Sequence, residues 1–319
     1  MVNPRMAFGL WRRRVAAHLR AALGAAPKLA PRTAPRLAIH RLESLEAYRA
    51  LIATAGAQSW DLEHRLAVEN PDRPFKVDGY CWIDDLPVAF GVDYLYAQPY
   101  ESRLIPNWRE RLMCPACNLN NRQRACVHVA SEYLGLKRDS RIYMTEQVTP
   151  TFALMSRRHS NLVGSEYLGD DIEPGTVNAE GVRHEDVTRL SFADESFDAV
   201  LSFDVFEHVP SHRKAFAECK RILKPSGTLL FSVPFLEDAP VTKDRAYFDA
   251  SGALVHEVPP AYHGDPIRPG EGVLVFHDFG WDILEHAREA GFTDVTALAY
   301  RDPGFGYLGG WPLMFAARR

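Results

Sequence analysis

The sequence predicts an α/β protein with a doubly wound, mostly parallel sheet and a smaller N-terminal region. Short β-forming runs alternate with helical patterns from residue 121 onward, which is typical of a sheet covered by helices. The stretch from Phe197 to Phe235 has the order strand, helix, turn and strand of a parallel βαβ unit. Two more β-forming runs, 293–300 and 312–317, follow a helical pattern over 281–290.

The βαβ unit is predicted from its local patterns. Phe197–Phe203 is a compact β-forming run that is too short for a helix. Ser211 is the expected N-cap of the helix that follows. The apolar stripe of that helix consists of Ala215, Phe216, Cys219, Ile222 and Leu223. A turn at 224–227 then leads into a second strand at 228–233.

Three polar side chains follow the first strand of this unit directly. They are Asp204, Glu207 and His208. In open parallel sheets, ligands bind beyond the carboxyl ends of the strands. The sequence therefore predicts that these residues lie where a ligand would bind.

The segment FDAVLSFDVFEHVPSHRKAFAECKRILKPSGTLLFSVP resembles the second half of a class I S-adenosylmethionine (SAM) dependent methyltransferase of the type-11 kind. The resemblance implies a Rossmann-like sheet of seven strands that ends in an antiparallel hairpin. It also implies SAM as cofactor, and Asp204 and Phe206 on the methionine side of its pocket. His208 would polarise an acceptor or cap the following turn.

Composition and charge exclude several classes of protein. The 319 residues are 46% apolar and 24% charged, as in soluble globular proteins, and no apolar run approaches the ~18 residues of a membrane span. Residues 1–40 carry one lysine, seven arginines and no acid, a formal charge of +8. Because the whole chain has a net charge of −4, the rest of the chain carries −12. An acidic body argues against nucleic acid as its main ligand. The cysteine usage favours a reduced, cytoplasmic location.

The N-terminal part divides into a basic tail and linker at 1–38 and a helical segment at 39–74. A helical pattern is expected from Arg41 to Asn70. One face of the tail would allow weak contact with an anionic membrane surface, but a frayed tail is the preferred interpretation. No coiled-coil or interface stripe indicates an oligomeric state.

Residues 75–120 resemble a zinc ribbon. Cys114 and Cys117 form a CxxC knuckle, and Cys81 and Asp84 have the same spacing upstream. Four protein ligands would hold a structural Zn²⁺ with no open position. The alternatives are a lost zinc site with Cys81 merely buried, and a rival ligand pair, Cys126 and His128. We disfavour the rival pair because Cys126 lies on the apolar face of a predicted helix over 121–134.

The stretch NWRERLMCPACNLNNRQRA resembles a junction in bacterial methyltransferase-like proteins with a cysteine-rich N-terminal segment. It would join the ribbon to a methyltransferase-like domain at 121–319. Its arginines would pair with acids or line the cleft.

The first half of that domain supplies the expected cofactor contacts. Strands are predicted at 141–146 and 161–166, with a helix from Thr149-Pro150 to Arg158 between them. Glu166 ends the second strand, where Rossmann-type folds place an acid that accepts hydrogen bonds from ribose hydroxyls.

The loop after the first strand departs from the resemblance. Class I methyltransferases have a glycine-rich loop there, whereas residues 146–150 contain no glycine. Gln147 and Thr149 would supply polar contacts instead, and Glu146 would face the cationic end of SAM. The alternative is a binding or scaffold protein that keeps the fold and has lost the activity.

A third strand is predicted around 181–185. By resemblance, Asp186 would contact the adenine amino group, with Val187 beside the ring.

Residues 236–280 form a long polar insert, the length of a lid or binding loop. Its His256, His263 and His277 could each deprotonate a hydroxyl acceptor near neutral pH, and His263 is the first choice. A catalytic metal is disfavoured because neither HxH nor HExxH occurs. Together these observations predict a SAM-dependent methyltransferase acting on a small-molecule or sugar-type acceptor.

Overall fold

The computed structural model describes residues 36–101, 103–268 and 270–319. The basic tail, with its proposed membrane contact, therefore lies almost wholly outside the described residues. A seven-stranded sheet forms the centre of the molecule. Its strands are β1 (Ile39–Leu42), β2 (Arg141–Met144), β3 (Asn161–Gly164), β4 (Phe197–Phe203), β5 (Leu223–Ser232), β6 (Asp294–Tyr300) and β7 (Leu313–Arg318).

The strand order is β1-β6-β7-β5-β4-β2-β3. Strands β3, β2, β4 and β5 are parallel to their neighbours in this order. The remaining pairs, β5 with β7, β7 with β6 and β6 with β1, are each antiparallel. The predicted α/β fold with a mostly parallel sheet and a closing hairpin is confirmed. The four parallel strands all point their carboxyl ends at one edge, which positions the candidate site.

Five α-helices of the described residues accompany the sheet. They are α1 (Leu45–Glu69), α2 (Asn121–Tyr133), α3 (Pro150–Arg158), α4 (His212–Ile222) and α5 (Ile283–Glu289). Side-chain alternation along each strand divides the core into two layers. Ile142 and Met144 face the layer that contains α2 and α3, whereas Tyr143 faces the layer that contains α4 and α5.

The two edges of the sheet differ from the sequence prediction. The predicted third strand at 181–185 is wrong, because this segment makes only isolated bridges, one parallel between Glu166 and His184 and one antiparallel between Val177 and Arg183. The seventh strand is instead β1, which pairs with β6 at the opposite edge. The helical pattern expected from Arg41 therefore begins later, at Leu45, after Ser44 has capped it with a bond from the Ala47 amide.

The helix of the βαβ unit also differs in detail. Ser211 occupies the N-cap position of α4, but its side chain makes no capping hydrogen bond. Burial of the apolar stripe therefore holds α4 in place: Ala215, Phe216, Cys219 and Ile222 are completely buried against the sheet.

The ribbon region, residues 75–120, packs directly on the sheet. It contains one hairpin, Phe75–Cys81 with Leu86–Val92, and a shorter one, Gln98–Tyr100 with Arg103–Ile105. Its buried side chains belong to the same apolar cluster as those of α2 and one face of the sheet.

The polar insert at 236–280 is not structureless. Three short antiparallel ladders hold it: 243–244 with 277–278, 246–248 with 254–256, and 262–263 with 273–274. In the described part of the chain, no helix is long and apolar enough to cross a membrane.

Candidate active site and metal centres

Acidic side chains gather at the carboxyl edge of the parallel strands. Glu146 follows β2, Glu166 follows β3, and Asp204 and Glu207 follow β4. Glu146 lies close enough to Glu166 and Asp204 for both charges to raise its pKa. This acidic edge suits a ligand that carries positive charge and hydroxyl groups.

Glu166 closes the loop between β2 and α3. Its Oε1 accepts hydrogen bonds from the backbone amides of Gln147 and Val148, at 2.7 and 2.9 Å. No hydrogen bond from the described residues reaches its Oε2. Burial raises the pKa of Glu166, and the two amide bonds oppose that shift. The second oxygen is thus the one available to a hydroxyl group of a ligand.

The loop itself needs no glycine. No residue from Thr145 to Pro150 has a positive φ, so L side chains fit the turn without strain. Thr149 caps α3 by accepting a bond from the Phe152 amide, and Pro150 begins the helix. The missing glycine motif is therefore compatible with an ordered strand–loop–helix unit.

The Gln147 side chain joins the loop after β2 to the segment at 181–183. Its amide nitrogen donates to the Gly181 carbonyl, and its amide oxygen accepts from the Arg183 backbone, both at 2.8 Å. Both ends of the side chain hold the segment at 181–183 beside β3. Gln147 thus supports the part of the edge beside β3 through the backbone.

Glu146 carries an unsatisfied buried atom. Its Oε1 is buried and has no hydrogen-bond partner among the described residues. Burial raises its pKa to about 7, with the Thr149 hydroxyl opposing the shift and Glu166 adding to it. An orphaned carboxylate oxygen fits a cationic or hydroxyl-bearing ligand.

Asp204 is held by a clamp of two arginines, Arg109 from the ribbon region and Arg122 from α2. Its carboxylate accepts bonds of 2.6 and 2.8 Å from Arg109 and one of 2.7 Å from the Ser232 hydroxyl, and it lies 3.2 Å from Arg122 Nε. Burial would raise its pKa, but the charges of the two arginines outweigh this and hold the pKa well below its usual range. Asp204 has a φ of 55°, so these contacts also fix a sparsely populated backbone conformation.

Glu110 completes the clamp. It accepts bonds from Arg109 at 2.5 Å, from Arg122 at 2.8 Å and from the Asn120 amide at 2.8 Å. Burial raises and the two arginines lower the pKa of Glu110, with a net decrease. Two cations thus meet two anions at the end of β4. The sequence allowed these arginines either to pair with acids or to line the cleft, and pairing with acids is observed.

Three other predicted cofactor residues lie in different settings. Phe206 is fully buried and packs edge-on against Phe216 and Phe231, so its ring belongs to the core. Asp186 accepts from the amide and hydroxyl of Thr188. Val187 packs, partly exposed, on the same core layer.

Both ring nitrogens of His277 have hydrogen-bond partners within the protein. Its Nδ1 lies 2.8 Å from Asp244, and its Nε2 lies 3.0 Å from the carbonyl of Val209. Its ring packs edge-on against His212, whose Nε2 contacts His286 at 3.0 Å. His277 thus ties the insert to the turn after β4, away from solvent.

His208 and His263 come together, although 55 residues separate them. His208 Nε2 and His263 Nδ1 are 3.2 Å apart. Glu207 Oε1 lies 3.6 Å from the first nitrogen and 3.7 Å from the second. Two histidines that were predicted to be catalytic thus form a compact triangle with Glu207, which was predicted only to lie where a ligand would bind.

The four predicted ribbon ligands also converge. All four ligand atoms, from Cys81, Asp84, Cys114 and Cys117, lie within 4.8 Å of one another. The Cys81 and Cys117 sulfurs are 3.8 Å apart, and Asp84 Oδ2 lies 3.1 Å from Cys81 Sγ and 3.4 Å from Cys114 Sγ. Zn–S bonds of about 2.3 Å in a tetrahedron separate two sulfurs by about 3.8 Å, so the donor set fits zinc.

The two knuckles have the same backbone geometry. Asp85 donates to the Cys81 carbonyl at 2.9 Å and Asn118 donates to the Cys114 carbonyl at 3.0 Å. Both residues have a φ of 58°. A shared turn at two separate knuckles is what a pair of zinc-ribbon half-sites requires. Cys126 is fully buried in α2, where burial raises its pKa to about 12.

A methyltransferase-domain family model matches residues 150–231. This segment runs from the start of α3 into β5 and includes Glu166, Asp186, Asp204 and Glu207.

Curated relatives match over short stretches. A 53-residue stretch is 38% identical to a probable S-adenosylmethionine-dependent methyltransferase of Mycolicibacterium smegmatis, covering 17% of this chain and 21% of that protein. A stretch of 84 residues is 32% identical to the ubiquinone biosynthesis O-methyltransferase of Dinoroseobacter shibae, covering 24% and 34%. The chain thus spans only about a fifth to a third of these relatives' length. The matched stretches are thus similar to parts of SAM-dependent methyltransferases.

Solved structures show a distant likeness. A SAM-dependent methyltransferase from Mesorhizobium loti aligns with a TM-score of 0.37 and 17% identity over 61% of this chain and 98% of that one. The 1,6-didemethyltoxoflavin-N1-methyltransferase of Burkholderia thailandensis, solved with S-adenosylhomocysteine, aligns with a TM-score of 0.34 and 16% identity over 62% and 77%.

Two features of the site were missed in the sequence. Arg109 and Arg122 could be assigned to acids or to the cleft but not to Asp204, because only folding brings the ribbon region and α2 to the end of β4. Glu207 was noted for its position after β4, yet no spacing rule links it to His263.

Proposed function

We propose that this protein is a SAM-dependent methyltransferase that acts on a small-molecule or sugar-type acceptor. The observation that carries the proposal is the methyltransferase-domain match at 150–231, which overlies the acidic carboxyl edge of the parallel sheet. The matches do not favour the alternative of a non-catalytic scaffold.

The residues at the edge fit the parts of SAM. Glu166 would accept from the ribose hydroxyls through Oε2, since Oε1 is occupied by the loop amides. Glu146, with its orphaned Oε1, would face the positive charge of the cofactor. Asp186 and Val187 would border the adenine. In this arrangement the side chain of Glu146 would contact the cofactor from the loop in which class I methyltransferases have glycines.

Asp204 was expected to line the methionine side of the cofactor pocket itself. The clamp favours a different role for it. Its carboxylate is fully engaged by Arg109, Arg122 and Ser232. We infer that it positions the two guanidinium groups toward the carboxylate of the methionine moiety; the side chains that carry them are a third and a sixth exposed. Paired guanidiniums recognise a planar carboxylate well.

SAM supplies an already activated methyl group on its sulfonium, so the protein's contribution is positioning and exclusion of water. The insert at 236–280 lies over the turn after β4, to which it is tied by the bond from the Phe276 amide to the Glu207 carbonyl at 2.7 Å. It would shield an acceptor at that position.

We propose that the ribbon cluster holds a structural Zn²⁺. Arg109 and Glu110 precede the CPAC knuckle by only a few residues, so an ion bound there would stabilise the segment that carries the clamp. Metal analysis of the untagged protein tests this. About one zinc per chain should be lost on Cys117→Ser, and equal zinc in both proteins would refute the assignment.

Calorimetric titration with S-adenosylhomocysteine tests the main proposal. Binding is expected, and Glu166→Ala should weaken it by about 1–3 kcal/mol, because buried polar groups lose their partner. Glu180→Ala, an exposed acid on the same connection between β3 and β4, is the matched control and should bind like the natural chain. A folded protein that binds neither SAM nor S-adenosylhomocysteine would instead support the scaffold alternative.

A further inference from the structure

A second group of metal-ligand atoms lies at the carboxyl edge, apart from the cysteines. It consists of Glu207, His208 and His263, whose ligand atoms are 3.2, 3.6 and 3.7 Å apart. Glu207 and His208 come from the turn after β4 and His263 comes from the insert. Three donors from two separate segments thus point at one position.

Glu207 is the unusual member. It is completely buried, and neither carboxylate oxygen has a hydrogen-bond partner among the described residues. A buried carboxylate without hydrogen bonds or a close cation is strongly disfavoured. The protein therefore presents a charge that an ion between the three side chains would satisfy.

His208 is oriented as a metal ligand requires. Its Nδ1 lies 2.8 Å from the carbonyl oxygen of Leu274. Because a carbonyl only accepts, Nδ1 carries the proton, and Nε2 presents its lone pair to the triangle. A ligating histidine commonly donates its other ring N–H to a backbone carbonyl in this way.

His263 is brought to the triangle by the insert's own ladder. Tyr262 and His263 pair with Leu274 and Val273, and Leu274 is the residue that accepts from His208. The Phe276 amide then donates to the Glu207 carbonyl at 2.7 Å. One short segment therefore sets the positions of all three side chains.

We propose that Glu207, His208 and His263 form a binding site for a divalent transition-metal ion, with Zn²⁺ as the best fit. Zn–N and Zn–O bonds of about 2.0–2.1 Å in a tetrahedron separate the ligand atoms by about 3.3–3.4 Å. The observed separations lie within a few tenths of an ångström of that edge. Two imidazoles and one carboxylate also match the donors that zinc takes at open sites.

Three protein ligands leave one coordination position open. His263 lies on the solvent side, with 42% of its side chain exposed, so the open position is reachable by water or by an oxygen of a small molecule. This distinguishes the site from the ribbon cluster, whose four donors close the coordination sphere. The metal would act as a Lewis acid toward an oxygen ligand at the carboxyl edge.

The test is metal binding by the full chain, stripped with a chelator and reloaded with Zn²⁺ or Co²⁺. His263→Ala should hold about one ion fewer per chain than the natural protein, with an unchanged circular dichroism spectrum, because the residue is exposed. Glu207→Gln should lower the affinity for the same ion by at least ~10–100-fold, which is the loss expected when only the hydrogen-bond partner of a metal ligand is removed. His256→Ala, an exposed histidine of the same insert, is the matched control and should bind normally.

Co²⁺ distinguishes the two sites. The ion lost in His263→Ala should lack sulfur-to-cobalt charge-transfer absorption, whereas the ion lost in Cys114→Ser should show it. The proposal is overturned if His263→Ala binds as many ions as the natural chain, or if every bound ion has the sulfur signature. Both readouts are independent of methyl transfer.

Discussion

The guanidinium of Arg109 donates two hydrogen bonds, of 2.6 and 2.8 Å, to the carboxylate of Asp204. One partner belongs to the ribbon region and the other to the end of β4. The pair links the proposed zinc cluster to the proposed cofactor edge, and it holds Asp204 at a positive φ.

Arg109→Ala should destabilise the protein by about 1–3 kcal/mol, since Asp204 keeps Arg122 and Ser232 but loses its bidentate partner. The measurement is urea unfolding. Arg138→Ala, an exposed arginine without an ion pair among the described residues, should change stability by less than about 0.5 kcal/mol.

A double-mutant cycle with Asp204→Asn isolates the pair. We expect a coupling energy of about 1–3 kcal/mol, because the two residues share one network. Additive effects of the two substitutions would show that the clamp does not link the ribbon region to β4.

Gln147→Ala should free the segment at 181–183. Two hydrogen bonds to its backbone are lost, which should cost about 1–2 kcal/mol and raise amide exchange at Arg183. Gln98→Ala, at an exposed position of the ribbon region, is the control. Unchanged exchange at Arg183 would contradict the role assigned to Gln147.

His212 should make the protein sensitive to acid. Burial lowers its pKa to about 3, and His277, His286 and Arg213 add to the effect; Asp244 and Asp282 contact the first two. The unfolded chain therefore binds a proton that the folded chain excludes, and stability is lost as pH falls below about 6.5.

The test compares the natural chain with His212→Gln by urea unfolding at pH 8 and pH 5. The difference in unfolding free energy between the two proteins should move by about 2 kcal/mol in favour of the variant at pH 5. A difference that does not depend on pH would refute the assignment.

Glu146 should have the opposite pH dependence. Burial raises its pKa to about 7; the Thr149 hydroxyl and Arg122 oppose the shift, whereas Glu166 and Asp204 add to it. The folded chain keeps a proton that the unfolded chain releases, so this group's contribution to stability falls as pH rises from about 4.5 to 7. Glu146→Gln should be more stable than the natural chain by about 1–3 kcal/mol at pH 8, with a smaller difference at pH 5. A difference in unfolding free energy between the two proteins that is the same at pH 8 and pH 5 would contradict this assignment.

Local patterns predicted the central elements well. The βαβ unit around β4, α4 and β5, the strand β2 and the closing hairpin follow from β-forming runs, an apolar helical stripe and turn residues. The predicted third strand failed because the segment at 181–185 pairs with the chain after β3 through only one parallel bridge, and the Gln147 side chain supplies further bonds to its backbone. Such side-chain substitutes for strand pairing leave no periodic signal.

The sequence by itself determined the fold class, the acidic edge after β2, β3 and β4, and the two cysteine-type knuckles, because all three depend on residues close together in the chain. Only the tertiary structure decided that β1 completes the sheet, that Arg109 and Arg122 engage Asp204, and that His263 joins Glu207 and His208. The physical reason is distance along the chain. These contacts join segments tens to hundreds of residues apart, and their geometry is set by the packing of the ribbon region and the insert on the sheet.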